Sequence, residues 1–414
     1  MTRRVFQRLA RRIAFAAFGR IRSGTLTVAE RGELVRMFGS GEPVGLLDIR
    51  SPAAWPALLR GSRGLGESYR DGLWDSPDLA ALVRVAARNT GPIDRFRRAL
   101  APVLAPLNLA AGTRRRNDRR SSRRQIAAHY DLGNALFELM LDPTMSYSCS
   151  YYEREDMTLE EAAVAKFELV CERLDLHSED HLLEIGTGWG GLAIHAARTR
   201  GCRVTTTTIS REQHAYALAR VREAGLEDRV TVLLQDYRDL RGRYDKLVSI
   251  EMIEAVGWRN FGIFFQRCSD LLADDGEMLL QAITIDDRAY EVEKTSPTFI
   301  RTYIFPNGCL PSLAVIARHV VRDTNMRMVG LQDLTSSYVR TLREWRRNFE
   351  THRRRLEQLG YDQHFRRLWR LYLAYCEAGF AERRIADVQV LLAKPQSRRL
   401  VSSSESRAMS ATVS

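Results

Sequence analysis

His181-Leu-Leu-Glu-Ile-Gly-Thr-Gly-Trp-Gly-Gly-Leu-Ala-Ile-His195 is the stretch that decides the architecture of this chain. An apolar run carries Glu184 near its end, Gly186, Gly188 and Gly190 form a tight turn, and helix-forming residues follow. Without a Cβ, such glycines let backbone approach a nucleotide-like ligand at the carboxyl end of a parallel strand. Outward from this point come further β-rich segments, Arg203–Ser210, Val230–Tyr237, Tyr244–Ile250 and, after the turn Asp274-Asp275-Gly276, Glu277–Ile283. Helical segments alternate with them, which predicts a doubly wound α/β sheet. Nicotinamide dinucleotide sites place an acid about 20 residues on, at the end of the second strand. Here that strand ends in hydroxyl residues, and the acid, Asp236, ends the third strand, suited to an adenine amino group.

The chain has 414 residues and a formal net charge of +12. Residues 1–125 hold 25 Arg against 10 Asp and Glu, so the basic character belongs to the N-terminal part. Such a surplus suits an anionic partner, either nucleic acid or anionic lipid. Val5, Leu9, Ile13 and Ala17 recur at i+4 among Arg3, Arg4, Arg8, Arg11 and Arg12, predicting a basic amphipathic helix that lies in a lipid interface or docks on its own domain. No apolar run reaches the ~20 residues of a membrane span. The six cysteines show no metal-ligand spacing, so no metal is expected, and a reducing cytosol is their natural setting. The expected domains are the helix at 1–22, an accessory α+β domain at 23–112, an Arg-rich linker at 113–124, a catalytic domain at 125–395 and a disordered tail at 396–414.

The strand ends and the glycine turn together resemble class I S-adenosylmethionine methyltransferases. Five further motifs narrow the resemblance: His129-Tyr-Asp-Leu-Gly-Asn134, Leu141–Tyr152, Gln235–Leu240, Glu251-Met-Ile-Glu-Ala-Val-Gly257 and Tyr303–Ser312. In this order they are similar to cyclopropane-fatty-acyl-phospholipid synthases and the related mycolic acid cyclopropane synthases. Gly64–Trp74 looks like the extra N-terminal domain of the longer bacterial enzymes, and the likeness spans roughly residues 23–395.

The resemblance implies a seven-stranded Rossmann-like catalytic domain with helical inserts, especially over 284–375, covering an acyl tunnel. It implies S-adenosylmethionine contacts at Tyr147, Ser148, Glu184, Gly186, Gly188, Thr208, Ile209, Ser210, Gln213, Asp236 and Tyr237. It also implies a bicarbonate ion held by Cys149, Glu254, Gln281, Ile283 and Tyr338, with Cys149 and Ile283 acting through backbone. The implied reaction passes the sulfonium methyl to a cis double bond of a phospholipid acyl chain and closes a cyclopropane after proton loss. A dry aromatic pocket would protect the carbocation, and Glu254 would accept the proton from the anion. On that reading Glu254→Gln keeps cofactor binding and loses most lipid methylation.

Plainer readings make Glu254 a helix-start acid, Tyr338 a half-buried tyrosine, Cys149 a small core residue, and His129 with Asp131 a structural corner. Two positions depart from the best-known bacterial pattern: Gln281 replaces a His and Ala255 replaces the His of Glu-His-Val-Gly. Plant cyclopropane synthases resemble this chain at both. Gln donates hydrogen bonds but relays no proton. Acyl C-methylation without ring closure, giving a methylene- or methyl-branched chain, is the rival outcome. Amino-methylating enzymes of nucleic acids carry Asn/Asp-Pro-Pro-aromatic where this chain reads Glu251-Met-Ile-Glu254, so the expected partner is a phospholipid bilayer with anionic head groups, not nucleic acid. The expected placement is cytoplasmic, peripheral on the inner face of the cell membrane, with a homodimer compatible.

Overall fold

The structure is a computed structural model that describes residues 3–91, 133–306 and 308–398. The Arg-rich linker at 113–124, His129, Asp131 and the tail beyond 398 lie outside the described residues. All six cysteines are free thiols.

The N-terminal part opens with helix α1 (Arg3–Phe18). A four-stranded sheet follows in the order β2-β1-β3-β4, from β1 (Gly24–Glu30), β2 (Glu33–Ser40), β3 (Val44–Ile49) and β4 (Trp74–Asp75). Helix α2 (Leu79–Arg88) starts where the Asp78 carboxylate accepts the Ala81 N–H at 3.0 Å, the usual way to satisfy a free helix-start donor. Ala10 and Ala14 of α1 are buried against the domain, while Val5, Phe6, Leu9 and Ile13 remain 47–50% exposed as a stripe.

The larger part is built on a seven-stranded sheet in the order β10-β11-β9-β8-β5-β6-β7. Its strands are β5 (His181–Ile185), β6 (Arg203–Thr208), β7 (Val230–Leu234), β8 (Tyr244–Ile250), β9 (Leu272–Ile285), β10 (Arg327–Asp333) and β11 (Ile385–Ala393). β5 pairs parallel with both β6 and β8, and β9 with β8, whereas β11 runs antiparallel between β9 and β10. Strand order therefore reverses at β5, and an open α/β sheet binds its ligand in the crevice at such a point. Two apolar clusters fill the two faces, one around Leu247, Phe264 and Leu280, the other around Val170, Leu182 and Ala193.

The region between β9 and β11 supplies α3 (Thr335–Thr351) and α4 (Gln363–Ala381), which pack together over the carboxyl edge. A third core is common to the two parts of the molecule. Leu26, Trp55 and Trp74 of the N-terminal domain belong to the same cluster as Trp345 and Phe380 of the inserted helices. Polar contacts fix this seat. Arg367 donates to the carbonyls of Tyr69 (2.6 Å) and Trp74 (2.8 Å) and to Asp75 (3.1 Å), and Glu382 receives Arg84 and Arg88. Tyr303 donates to Glu67 at 2.7 Å.

Candidate active site

A cavity of about 1320 Å³ runs from the glycine turn to the N-terminal domain. Ordinary ligand pockets measure roughly 300–1,000 Å³, so this one has room for two molecules. Gly186, Gly188 and Gly190 take φ of 108°, 53° and 87°, the left-handed region where a Cβ is strained. At the next residue, Gly191, a Cβ would lie 2.9 Å from both Phe167 and the Thr144 carbonyl. This turn leaves its backbone open towards the cavity, and the helix Gly191–Arg200 starts behind it.

Most of the expected cofactor residues surround this end. Tyr147, Ser148, Glu184, Gly186, Gly188, Thr208, Ile209, Gln213, Asp236 and Tyr237 all line the cavity. Ser210 instead caps the helix Arg211–Glu223 by accepting the Gln213 N–H, and Thr208 donates to the Gln213 side chain at 2.9 Å. Glu184 accepts from Thr206 at 2.6 Å, and burial pushes its carboxyl up to about 7. Asp236 forms a two-pronged pair with Arg238 at 2.9 and 2.6 Å, which holds the carboxylate against the cavity wall.

The groups expected to hold bicarbonate do converge, but on a side chain of the protein itself. Glu251 Oε1 receives the Cys149 N–H at 2.7 Å and Gln281 Nε2 at 3.0 Å, and Oε2 receives the Tyr338 hydroxyl at 2.6 Å. The Ile283 N–H donates to Glu254 Oε1 at 2.6 Å, and Glu254 Oε2 is buried without a partner. Tyr338 thus meets Glu251 rather than Glu254. Cys149 and Gln281 form the wall behind the cavity, whereas Glu251, Glu254, Ile283 and Tyr338 face it. Of the donors that would grip a second anion, Cys149, Gln281 and Tyr338 are engaged by Glu251 and the Ile283 N–H by Glu254. The residues present do not fit bicarbonate.

Besides Glu251 itself, sequence reasoning missed four groups here. Asp387, fully buried on β11, shares the Gln281 amide with Glu251 at 3.0 Å. Burial, and then the charges of Glu251 and Glu254, raise Asp387 well above the ordinary carboxyl value. Lys166, buried on the helix Leu159–Arg173, donates to Ser146 (2.9 Å) and Ser148 (3.0 Å), and burial lowers its pKa. Tyr372 meets the Tyr147 hydroxyl at 2.8 Å, and Phe380 stacks on Tyr338 with ring centres 4.3 Å apart. Only Lys166 left a signal, being one of four lysines among 63 Lys and Arg.

Beyond the aromatic rings the cavity continues past Ile300 and Phe305 to Leu47, Leu58, Leu82 and Val85 of the N-terminal domain. Arg60, Arg63 and Lys294 also line it. The arrangement joins a nucleoside-type pocket to a long apolar space, with a cluster of carboxyls beside the junction.

Residues 117–390 match the mycolic acid cyclopropane synthetase family. A tuberculostearic acid methyltransferase of Mycobacterium tuberculosis is 38% identical, over 83% of this chain and 84% of that protein. The cyclopropane-fatty-acyl-phospholipid synthase of Escherichia coli is 36% identical, over 84% and 87%. Among solved structures, the mycolic acid cyclopropane synthase CmaA1 complexed with SAH and CTAB superposes with a TM-score of 0.62 at 30% identity, covering 66% of this chain and 98% of that one. The cyclopropane synthase MmaA2 of Mycobacterium tuberculosis gives the same TM-score of 0.62 at 32% identity and the same coverage, 66% and 98%.

Proposed function

Since the chain belongs to the mycolic acid cyclopropane synthetase family and is an S-adenosylmethionine-dependent methyltransferase, we propose that it methylates the cis double bond of unsaturated acyl chains in membrane phospholipids and closes a cyclopropane ring. The observation that carries this reading is the single cavity joining the glycine turn to an apolar channel. The glycine turn, Gln213, Asp236 and Tyr237 would hold the nucleoside end, and Tyr147 and Ser148 would lie near the sulfonium. When bound, the sulfonium supplies an electrophilic methyl. The residues of the chain align the alkene with it and keep water out while positive charge sits on the acyl chain. Tyr147, Tyr338, Tyr372 and Phe380 offer ring faces that soften such a charge. No step is assigned to bicarbonate, because its donors are engaged by Glu251 and Glu254.

The membrane side of the reading rests on α1. Its half-exposed stripe of Val5, Phe6, Leu9 and Ile13 is flanked by arginines, and each cation near an anionic surface is worth roughly 1 kcal/mol. Among the described residues no helix is long and apolar enough to cross a membrane. On this reading the protein would work at the inner face of the cell membrane, with α1 on the anionic surface, drawing acyl chains from the bilayer.

A second reading, acyl methylation without ring closure, is favoured by relatives that are named as fatty acid methyltransferases. Purified protein incubated with labelled S-adenosylmethionine and vesicles of palmitoleoyl phosphatidylglycerol tests both. Labelled lipid with high-field cyclopropane protons is the expected result. A labelled lipid with methylene or methyl-branch signals would select the second reading, and no label in lipid would sink both.

A further inference from the structure

Glu251 follows directly on β8 and holds φ at 48°, a left-handed conformation that a residue with a side chain seldom adopts. Strain of this kind persists where the surroundings over-determine it, commonly at working sites. Here the surroundings are three donors from three separate segments: the Cys149 N–H in the loop after the helix Asn134–Met140, the Gln281 amide on β9, and the Tyr338 hydroxyl on α3. The carboxylate they hold lines the junction of the nucleoside pocket and the apolar channel.

Resting on the functional reading above, we propose that Glu251 is the base of the ring-closing step, a carboxylate built into the chain where the resemblance implied a bound bicarbonate. After the alkene has taken the methyl, one C–H bond of that methyl breaks. Its proton passes to a Glu251 oxygen, and its electron pair forms the second ring bond to the cationic carbon. The products are a cyclopropane, the demethylated thioether and a protonated carboxyl, which returns its proton to solvent.

Burial raises the Glu251 carboxyl, and the three hydrogen bonds it accepts together with the Lys166 charge oppose that and favour its ionised form. Glu251 accepts three hydrogen bonds, whereas the Glu254 carboxylate accepts the backbone N–H of Ile283, and burial together with the Glu251 charge pushes Glu254 up to about 8. Burial, and then the charges of Glu251 and Glu254, likewise raise Asp387 well above the ordinary carboxyl value. Lys166 is the cation nearest in effect, its charge favouring the ionised form of Glu251. The cluster is no cation site, for among the described residues no group of three or more His, Cys, Asp or Glu is placed to hold a metal ion.

The test compares methyl transfer to palmitoleoyl phosphatidylglycerol vesicles in carbon-dioxide-free buffer with and without added sodium bicarbonate. The wild-type rate should be the same in both. Glu251→Gln should lose at least about 100-fold in turnover, with SAH affinity by calorimetry unchanged. Glu251→Gly suits the left-handed backbone and frees the three donors. It should be inactive without added anion and recover with bicarbonate. A wild-type rate that depends on bicarbonate, a Glu251→Gln enzyme with full turnover, or a Glu251→Gly enzyme active without added anion overturns the proposal. If the wild type binds SAH but labels no vesicle lipid, the functional reading itself fails and takes the inference with it.

Discussion

The Tyr338 hydroxyl donates to Glu251 Oε2 across 2.6 Å, linking the inserted helix α3 to the end of β8. One hydrogen bond thereby ties the lid of the site to its floor. Burial and the neighbouring Glu251 charge hold the Tyr338 hydroxyl well above its ordinary pKa, so it stays a donor throughout the working range. Tyr338→Phe removes one of three donors and leaves the ring stacked on Phe380. Turnover should fall by about 10- to 100-fold, as when one donor to a reacting charge is lost, with SAH affinity retained. Equal loss of both would show that the bond only holds the fold together.

Glu254 gives a pH prediction whose sign follows from its shift. Its carboxyl titrates at 4.5 ordinarily and at about 8 in the fold. Between those values the folded protein binds more protons than the unfolded chain, so this group lowers stability as pH rises from 4.5 to about 8. Glu254→Gln removes that penalty, and its Tm should exceed the wild-type value by more at pH 9 than at pH 5. Because Gln resembles the protonated carboxyl in shape, lipid methylation at pH 7 should fall by less than about tenfold. This reverses the expectation from sequence, where Glu254 was the proton acceptor. A collapse of turnover in Glu254→Gln would restore that role.

Lys166 controls the same site from behind. Its charge favours the ionised form of Glu251. Lys166→Met should therefore raise the pKa of that carboxyl and move the acid limb of the kcat/KM profile to higher pH. An acid limb that stays in place would remove Lys166 from the electrostatics of the site.

Gly186 at φ 108° reads out the nucleoside end alone. Gly186→Ala forces a side chain into a conformation costing roughly 1–3 kcal/mol. SAH binding by calorimetry should weaken by at least about tenfold, while the bicarbonate independence of residual turnover stays as in the wild type.

The membrane reading has its own check in α1. Phe6→Asp with Leu9→Asp replaces two half-exposed apolar residues on the stripe. Co-sedimentation with anionic vesicles should drop by at least about tenfold, with Tm unchanged because neither residue is buried in the core. Undiminished sedimentation would assign the stripe no part in lipid contact.

The glycine turn and the run of parallel strands were legible because each is local: a strand ends, a turn lacks Cβ atoms, and a hydroxyl or acid follows at a fixed spacing. The catalytic carboxylate was not. Glu251 and Glu254 sit in one short motif, and which of them meets the donors depends on the left-handed backbone at Glu251, which no neighbouring residue announces. Asp387 lies on a β11 strand whose other residues are largely apolar, and its partner Gln281 is 106 positions away in the chain. Lys166 shares its helix with Glu160, Glu161, Glu168 and Glu172, yet it is buried beside Ala162, Ala163 and Phe167. Such facts belong to tertiary packing, which local pattern does not encode.

The channel has one wall made by the catalytic part and another made by Leu47, Leu58, Leu82 and Val85. On the proposed function, the N-terminal domain would be a measuring stick as well as a support. How far an acyl chain slid before it touched that wall would set which carbon–carbon bond came to rest beside the methyl. Enlarging or filling the wall, far from any reacting atom, would shift the ring along the chain.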